Sequence, residues 1–309
     1  MGGTATRRVG KVALAFALTL PPIHLAALAP EAWAPPRTPD GQPDMQGVWN
    51  PVAAGASHSL EEGSEPAQDR VTGDGPRAST LAARRGELAV KVTVEPDGKL
   101  PYQPWAAAKR TELLANIHTP TQWAHLDPED RCLPNGVPRS NYRNTMRIVQ
   151  SPGYVTVLYE WNHGYRVIPM NGGTHPSAGI RLWNGDSRGR WEGNTLIVDT
   201  TNFLTDPAEL NMQPWFDSHG TFYSDALRVV ERWTFVDRNT IRYDATIDDP
   251  KVFTRPWQMV ITINRSKEPG YELFEVACLE GDRNTPHMVD VGRTMKAAGQ
   301  TGIHSHAGQ

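Results

Sequence analysis

The fold is decided by Tyr154-Val155-Thr156-Val157-Leu158-Tyr159-Glu160-Trp161-Asn162-His163-Gly164-Tyr165-Arg166-Val167-Ile168-Pro169-Met170. Two runs of β-branched and aromatic residues, Tyr154–Trp161 and Tyr165–Met170, flank Asn162-His163-Gly164, a hairpin signal. The same grammar repeats downstream. Ile180–Trp183 leads to Gly189–Glu192, and Gly193-Asn194 separates that run from Thr195–Asn202. Ala226–Phe235 and Thr240–Ile247 flank Asp237-Arg238-Asn239, and Trp257–Arg265 and Tyr271–Leu279 flank Pro269-Gly270. A meander of about eight strands predicts an antiparallel up-and-down β-barrel, because closure removes exposed edges. A two-layer sandwich is the alternative.

Working outward, the ends of the chain read differently. Residues 1–34 open with Arg7, Arg8 and Lys11 and continue through apolar runs broken by Pro21, Pro22 and His24. They are too short and interrupted for a membrane anchor and read as a cleavable signal peptide. The Arg7-Arg8 pair fits twin-arginine export and an ordinary secretory signal alike, and Ala32-Trp33-Ala34 is the best cleavage motif, with Pro35 awkward after it. The expected location is therefore periplasmic or secreted. Residues 35–145 form an expected irregular arm around one helix, Pro104 to Ala115, with a short strand at Ala89–Val94 and an aperiodic linker over 57–90. The barrel is expected over 146–285 and a flexible tail over 286–309.

Composition agrees. The chain has 309 residues, with 27 Gly and 26 Pro, which excludes a helical bundle, while 39% hydrophobic residues exclude wholesale disorder. A net charge of −3 gives no basic surface for nucleic acid or anionic membrane. In an oxidising compartment Cys132 and Cys278 are expected to pair, with two buried thiols as the other possibility.

Gly47-Val48-Trp49 ahead of a meander resembles the G-x-W start of lipocalin-type barrels, in which the Trp closes one end. A wider resemblance covers most of the chain after the signal. It rests on Pro43-Asp44-Met45-Gln46-Gly47-Val48-Trp49, Arg131-Cys132-Leu133-Pro134, Gly185-Asp186-Ser187-Arg188-Gly189-Arg190-Trp191-Glu192-Gly193, Ser224-Asp225-Ala226-Leu227 and Cys278-Leu279-Glu280-Gly281. These stretches resemble a family of exported bacterial β-rich proteins. The resemblance implies export and β structure and transfers no catalytic residue.

Polar residues inside strands carry the chemical information. Glu231 shares a face with Leu227, Val229, Trp233 and Phe235, and Asp199 shares one with Ile197. Both are candidates to line an open barrel; a structural bridge from Glu231 to Arg147 or Arg166 is the plainer reading. Glu160, His163 and Arg166 cluster around the first hairpin, and Asp217 with His219 is a possible oriented base. The catalytic candidates are thus Glu160, His163, Arg166, Asp199, His219 and Glu231. The aromatic candidates for a ligand wall are Tyr159, Trp161, Tyr165, Trp183, Phe216, Tyr223 and Trp233; Trp191 is a further core-or-wall residue. Asp186 and Arg188 read as turn braces. No dinucleotide fingerprint or P-loop occurs, so no cofactor is expected.

These residues suggest a cofactor-independent enzyme of isomerase, lyase or hydratase type acting on a hydrophobic small molecule. A non-catalytic carrier of an apolar ligand is the alternative. A metal-dependent hydrolase using His163, His175 and His219 is a third reading, although only His304 and His306 show an H-x-H spacing.

Overall fold

Alternation of apolar and polar residues produces nine strands in the computed structural model, which describes residues 1–3, 33–51, 59–61, 95–143, 145–205, 213–278 and 284–300. They are β1 (Gly47–Pro51), β2 (Met146–Ser151), β3 (Tyr154–Tyr159), β4 (Tyr165–Pro169), β5 (Asp186–Glu192), β6 (Thr195–Thr201), β7 (Arg228–Asp237), β8 (Thr240–Asp248) and β9 (Trp257–Arg265). Each pairs antiparallel with its neighbours in the order β4-β3-β2-β1-β9-β8-β7-β6-β5. The sheet curls into a nearly closed barrel. Its first and last strands meet through the ladder Trp49 to Arg265, Asn50 to Asn264 and Pro51 to Ile263.

One seam remains without a ladder, between β4 and β5. Side chains fill part of it. A Cβ on Gly189 of β5 would lie 2.4 Å from Met170 Sδ and 2.8 Å from Ile168 Cγ2, so only glycine lets the β4 side chains lean across.

Inward residues follow the two-residue period: Met146 and Ile148, Val155 and Val157, Val229 and Trp233, Ile241 and Tyr243, Trp257, Met259, Ile261 and Ile263 are all buried. Among the described residues three α-helices accompany these strands: α1 (Pro104–Leu114), α2 (Arg139–Arg143) and α3 (Asn284–Ala297). Pro104 starts α1, and Ala106, Arg110 and Leu113 form its buried stripe. Gly220, at φ +75°, lies where a Cβ would come within 2.9 Å of Leu113 Cβ. Contact between Tyr102 and Phe253 ties the arm to the aromatic cluster of Trp257, Phe216, Tyr223 and Phe203.

The arm expected over 35–145 is therefore part of the barrel as well as a wrapping. Gly47-Val48-Trp49 lies in β1, between β2 and β9. Trp49 is fully buried, its Nε1 donates to Met45 O at 2.8 Å, and the Arg265 guanidinium lies 4.2 Å from its ring centre. Two expected strands form only single bridges, Leu182 with Phe203 and Val276 with Trp161. The segment after Pro269-Gly270 cannot add beside β9, because β1 and β8 occupy both its edges. It crosses instead to the first hairpin, where Cys278 comes to disulfide distance of Cys132, with 5.3 Å between the Cα atoms. Cys278 thus ties a strap, not a last strand. The tail expected to be flexible is helical over α3, which packs so close to Pro120 that Gly292 has no room for a Cβ. The signal reading and the strand expected at Ala89–Val94 concern stretches mostly or wholly outside the described residues, and His304 and His306 also fall there. Among the described residues, no helix is long and apolar enough to cross a membrane.

Candidate functional site

The barrel interior holds a polar network. Glu231 of β7 is completely buried and faces Arg166 of β4, itself 3% exposed. Arg166 Nη1 donates to Glu231 Oε1 at 3.0 Å, and its Nη2 contacts Oε2. Asn141 of α2 donates to Glu231 Oε1 at 2.7 Å, and Tyr243 of β8 donates to the same oxygen at 3.0 Å. The remaining Arg166 donors go to Ser187 of β5 at 2.8 Å and Thr200 of β6 at 2.6 Å. Tyr159 donates to Asn141 Oδ1 at 2.7 Å. Burial opposes the Arg166 cation, and the adjoining Glu231 carboxylate outweighs it and raises the arginine's pKa. Burial, reinforced by the Glu231 charge, raises the Tyr243 phenol. Of the two bridges open to Glu231 from sequence, the structure makes the one to Arg166. Arg147 instead donates to Tyr271 O on the strap.

Asp199 does not line this interior. In β6 the residues opposite the buried Trp233, Glu231 and Val229 are Leu196, Val198 and Thr200, so Asp199 points outward. There it accepts from Arg228 Nε at 2.9 Å and Nη2 at 2.7 Å, which first of all hold its carboxyl below the usual range. Asp186 accepts from Arg188 at 2.8 and 2.9 Å and contacts His175 Nδ1 at 2.7 Å. Asp186 and Arg188 therefore brace the outer wall with His175.

The strongest candidate site is a cleft of about 450 Å³ beside the unpaired seam. Its walls come from the end of β3, the hairpin 161–164, the start of β4, the segment 182–185 and the loop around Pro134-Asn135. Of the residues singled out from sequence, Tyr159, Trp161, His163, Tyr165, Arg166 and Trp183 meet here. The hairpin turn is tight: Gly164 N donates to Trp161 O at 3.0 Å, and Asn162 and His163 have φ of 51° and 50°. Both central residues are left-handed, as a type I′ turn requires. Asn162 holds the turn by donating from Nδ2 to Cys132 O at 2.8 Å and from its backbone to Val276 O at 2.8 Å. His163 Nε2 reaches Glu275 on the strap at 3.1 Å.

Asn135 supplies the feature absent from the sequence reading. It is 4% exposed, and neither amide atom has a hydrogen-bond partner among the described residues. Trp161 Nε1 and Asn184 Oδ1, also in the cleft wall, are buried without partners among those residues. Gly136, at φ +67°, brings the loop against Trp183, whose carbonyl would lie 3.6 Å from a Cβ there. Leu133-Pro134-Asn135-Gly136 reads as a turn from sequence, so nothing in its pattern separates Asn135 from an ordinary turn asparagine.

The other sequence candidates lie elsewhere. Glu160 faces the strap, where it accepts from Tyr271 Oη and from Phe274 N at 3.2 Å. Asp217 accepts from the backbone of Leu60, His219 and Thr221 and from Thr221 Oγ1. Burial would raise the Asp217 carboxyl, but Arg110, His219 and these donors together hold it below the usual range. His219 belongs to this brace, with Ser218 Oγ 3.1 Å from its Nδ1. Phe216, Tyr223 and Trp233 are core residues. The imidazoles of His163, His175 and His219 have separate surroundings, and no group of three or more potential ligands among the described residues is placed to hold a metal ion. No family model, curated protein or solved structure matches this chain.

Proposed function

We propose that the protein is an exported small-molecule-binding barrel whose ligand sits in the seam cleft between Trp161, Trp183 and Tyr165. The observation that carries this reading is the cleft itself, which gathers Tyr159, Trp161, Tyr165 and Trp183 beside the unpaired seam. The proton carriers required by an enzyme are mostly committed elsewhere. Glu231 and Arg166 hold each other, Asp199 faces outward, and Glu160 holds the strap. Native mass spectrometry of the protein isolated from its own host tests the reading. The expected spectrum shows one unmodified small molecule retained on the folded chain and lost after Trp183→Ala. A ligand that survives that substitution places its binding elsewhere.

One contact favours a second reading, acid/base catalysis on the same ligand. His163 lies on the cleft beside Glu275, an orientation suited to passing a proton. Turnover of the retained molecule that disappears in His163→Ala, while binding persists, would select the enzyme over the carrier.

A further inference from the structure

The strap that follows β9 holds the hairpin wall of the cleft by a tie that can be cut. From 271 to 278 no residue is buried, and Phe274 and Val276 are 68% and 38% exposed, so packing does little to keep the strap in place. Its polar contacts go mostly to the hairpin. Val276 N donates to Glu160 O at 3.3 Å, Asn162 N donates to Val276 O at 2.8 Å, Phe274 N donates to Glu160 Oε1 at 3.2 Å, and Glu275 meets His163. The hairpin in turn grips the loop that begins at Cys132, through Asn162 Nδ2 and Cys132 O. The bond from Cys132 to Cys278 closes this triangle of strap, hairpin and loop. Two of the three sides, the hairpin and the loop with Pro134 and Asn135, are walls of the cleft. Backbone strain gathers at the same place. Four non-glycine residues among those described have positive φ, and three of them are Cys132 at 60°, Asn162 at 51° and His163 at 50°. Cys132 caps the short 3-10 turn Pro128–Arg131 in the left-handed conformation that favours glycine.

We infer that the strap is a redox-released clasp: oxidised, it pins the hairpin wall of the cleft; reduced, it lifts away and lets that wall loosen. Its value as a control on ligand retention rests on the binding role proposed for the cleft. Both cysteines are partly exposed, so a dithiol can reach the bond. One thiolate of the dithiol attacks a cystine sulfur, the S–S bond breaks, and the second thiol resolves the mixed disulfide. Two electrons and two protons pass from the dithiol, which leaves as a disulfide, to Cys132 and Cys278, which become thiols. The strap is then held by exposed hydrogen bonds for which water competes. The Cys132 backbone also loses the cross-link that fixes its left-handed conformation.

Amide 15N relaxation of the full chain without ligand tests the clasp, before and after dithiothreitol. Cys278→Ser serves as a second open form, and Cys132→Gly as a third that keeps the left-handed cap. In the oxidised chain the amides of 271–278 and 160–164 should have order parameters near about 0.85, like those of β7 and β8. On reduction the strap should fall below about 0.6, the hairpin should fall less, and β7 and β8 should not change. Cys132→Gly should free the strap as fully as reduction while the loop after position 132 stays ordered, because the tie is lost and the cap is kept. Should a variant fail to fold, dithiothreitol added to the folded parent chain gives the same comparison. Unchanged order in strap and hairpin after reduction overturns the clasp. So does a loss of order that spreads through β7 and β8, which would make the disulfide a staple of the whole fold. Either failure leaves the binding role of the cleft standing, since no ligand takes part. In protein isolated from its host, reduction should release the retained molecule; retention beside a loosened hairpin would overturn the control on binding. A molecule that survives Trp183→Ala counts against the cleft alone and leaves the dynamics of the clasp standing.

Discussion

The two faces of the β5–β6–β7 wall carry the same chemistry on strand positions of opposite parity. Ser187, Thr200 and Glu231 face inward and meet Arg166; Asp186, Asp199 and Arg228 face outward, beside Arg188 and His175. Both faces pair an arginine with a carboxylate. Inside, Glu231 is fully buried and Arg166 nearly so, whereas the outer side chains of Asp199 and Arg228 are 23% and 54% exposed. Composition cannot separate the two clusters; burial does. The inner pair exchanges strong hydration for a fixed set of donors and acceptors, and removing either partner leaves the other stranded. Water takes over when the outer pair is broken.

The largest expected effect follows from opening the inner pair. Arg166→Met should lower unfolding free energy by about 3–5 kcal/mol, because Glu231 would keep the uncharged donors Asn141 and Tyr243 and a long contact from Thr200 at 3.5 Å, with no cation. Urea unfolding with an unchanged m-value measures it. A loss below about 1 kcal/mol would place the inner pair in the same class as the outer one and remove the contrast.

A smaller change sharpens the contrast by taking away a neutral member of the network. Asn141 donates to Glu231 and Tyr243 and accepts from Tyr159, so Asn141→Leu strands a phenol and weakens the carboxylate's shell. The expected cost is about 1–3 kcal/mol. An unchanged denaturation midpoint would mean that the network tolerates an unpaired Tyr159, contrary to its burial.

How far the sequence reveals these features depends on the periodicity that each one obeys. The strands after Arg147 are legible because β-branched runs alternate and turns punctuate them, and the parity of β7 places Glu231 inside correctly. The same parity in β6 gives Asp199 the right companion, Ile197, and the wrong face. Leu196, Ile197 and Val198 are all buried, so the apolar run does not say which side faces the barrel; only pairing with β7 does. β1 is hidden because Gly47–Pro51 is short and separated by almost a hundred residues from β2, with which it pairs. The cleft is half legible. Its aromatics lie in the first hairpin, where clustering shows in sequence, but Asn135 and Asn184 sit in loops whose position follows from tertiary packing alone.

The smallest effect belongs to the outer face. Asp199 is held below its usual carboxyl range, first by the hydrogen bond from Arg228. A carboxyl whose folded pKa is depressed adds stability above the unfolded value of about 3.9, and this is lost as pH falls through the folded pKa. Partial exposure discounts that contribution, so Asp199→Ala should cost no more than about 1 kcal/mol at neutral pH and low salt. In 1 M NaCl the cost should shrink toward zero, since the Debye length falls to about 3 Å. The difference between wild-type and variant stability should likewise fade below about pH 4. A loss that persists in high salt and matches that of Arg166→Met would show that partial exposure does not weaken this pair. Exposure would then fail as the variable that distinguishes the two faces of the wall.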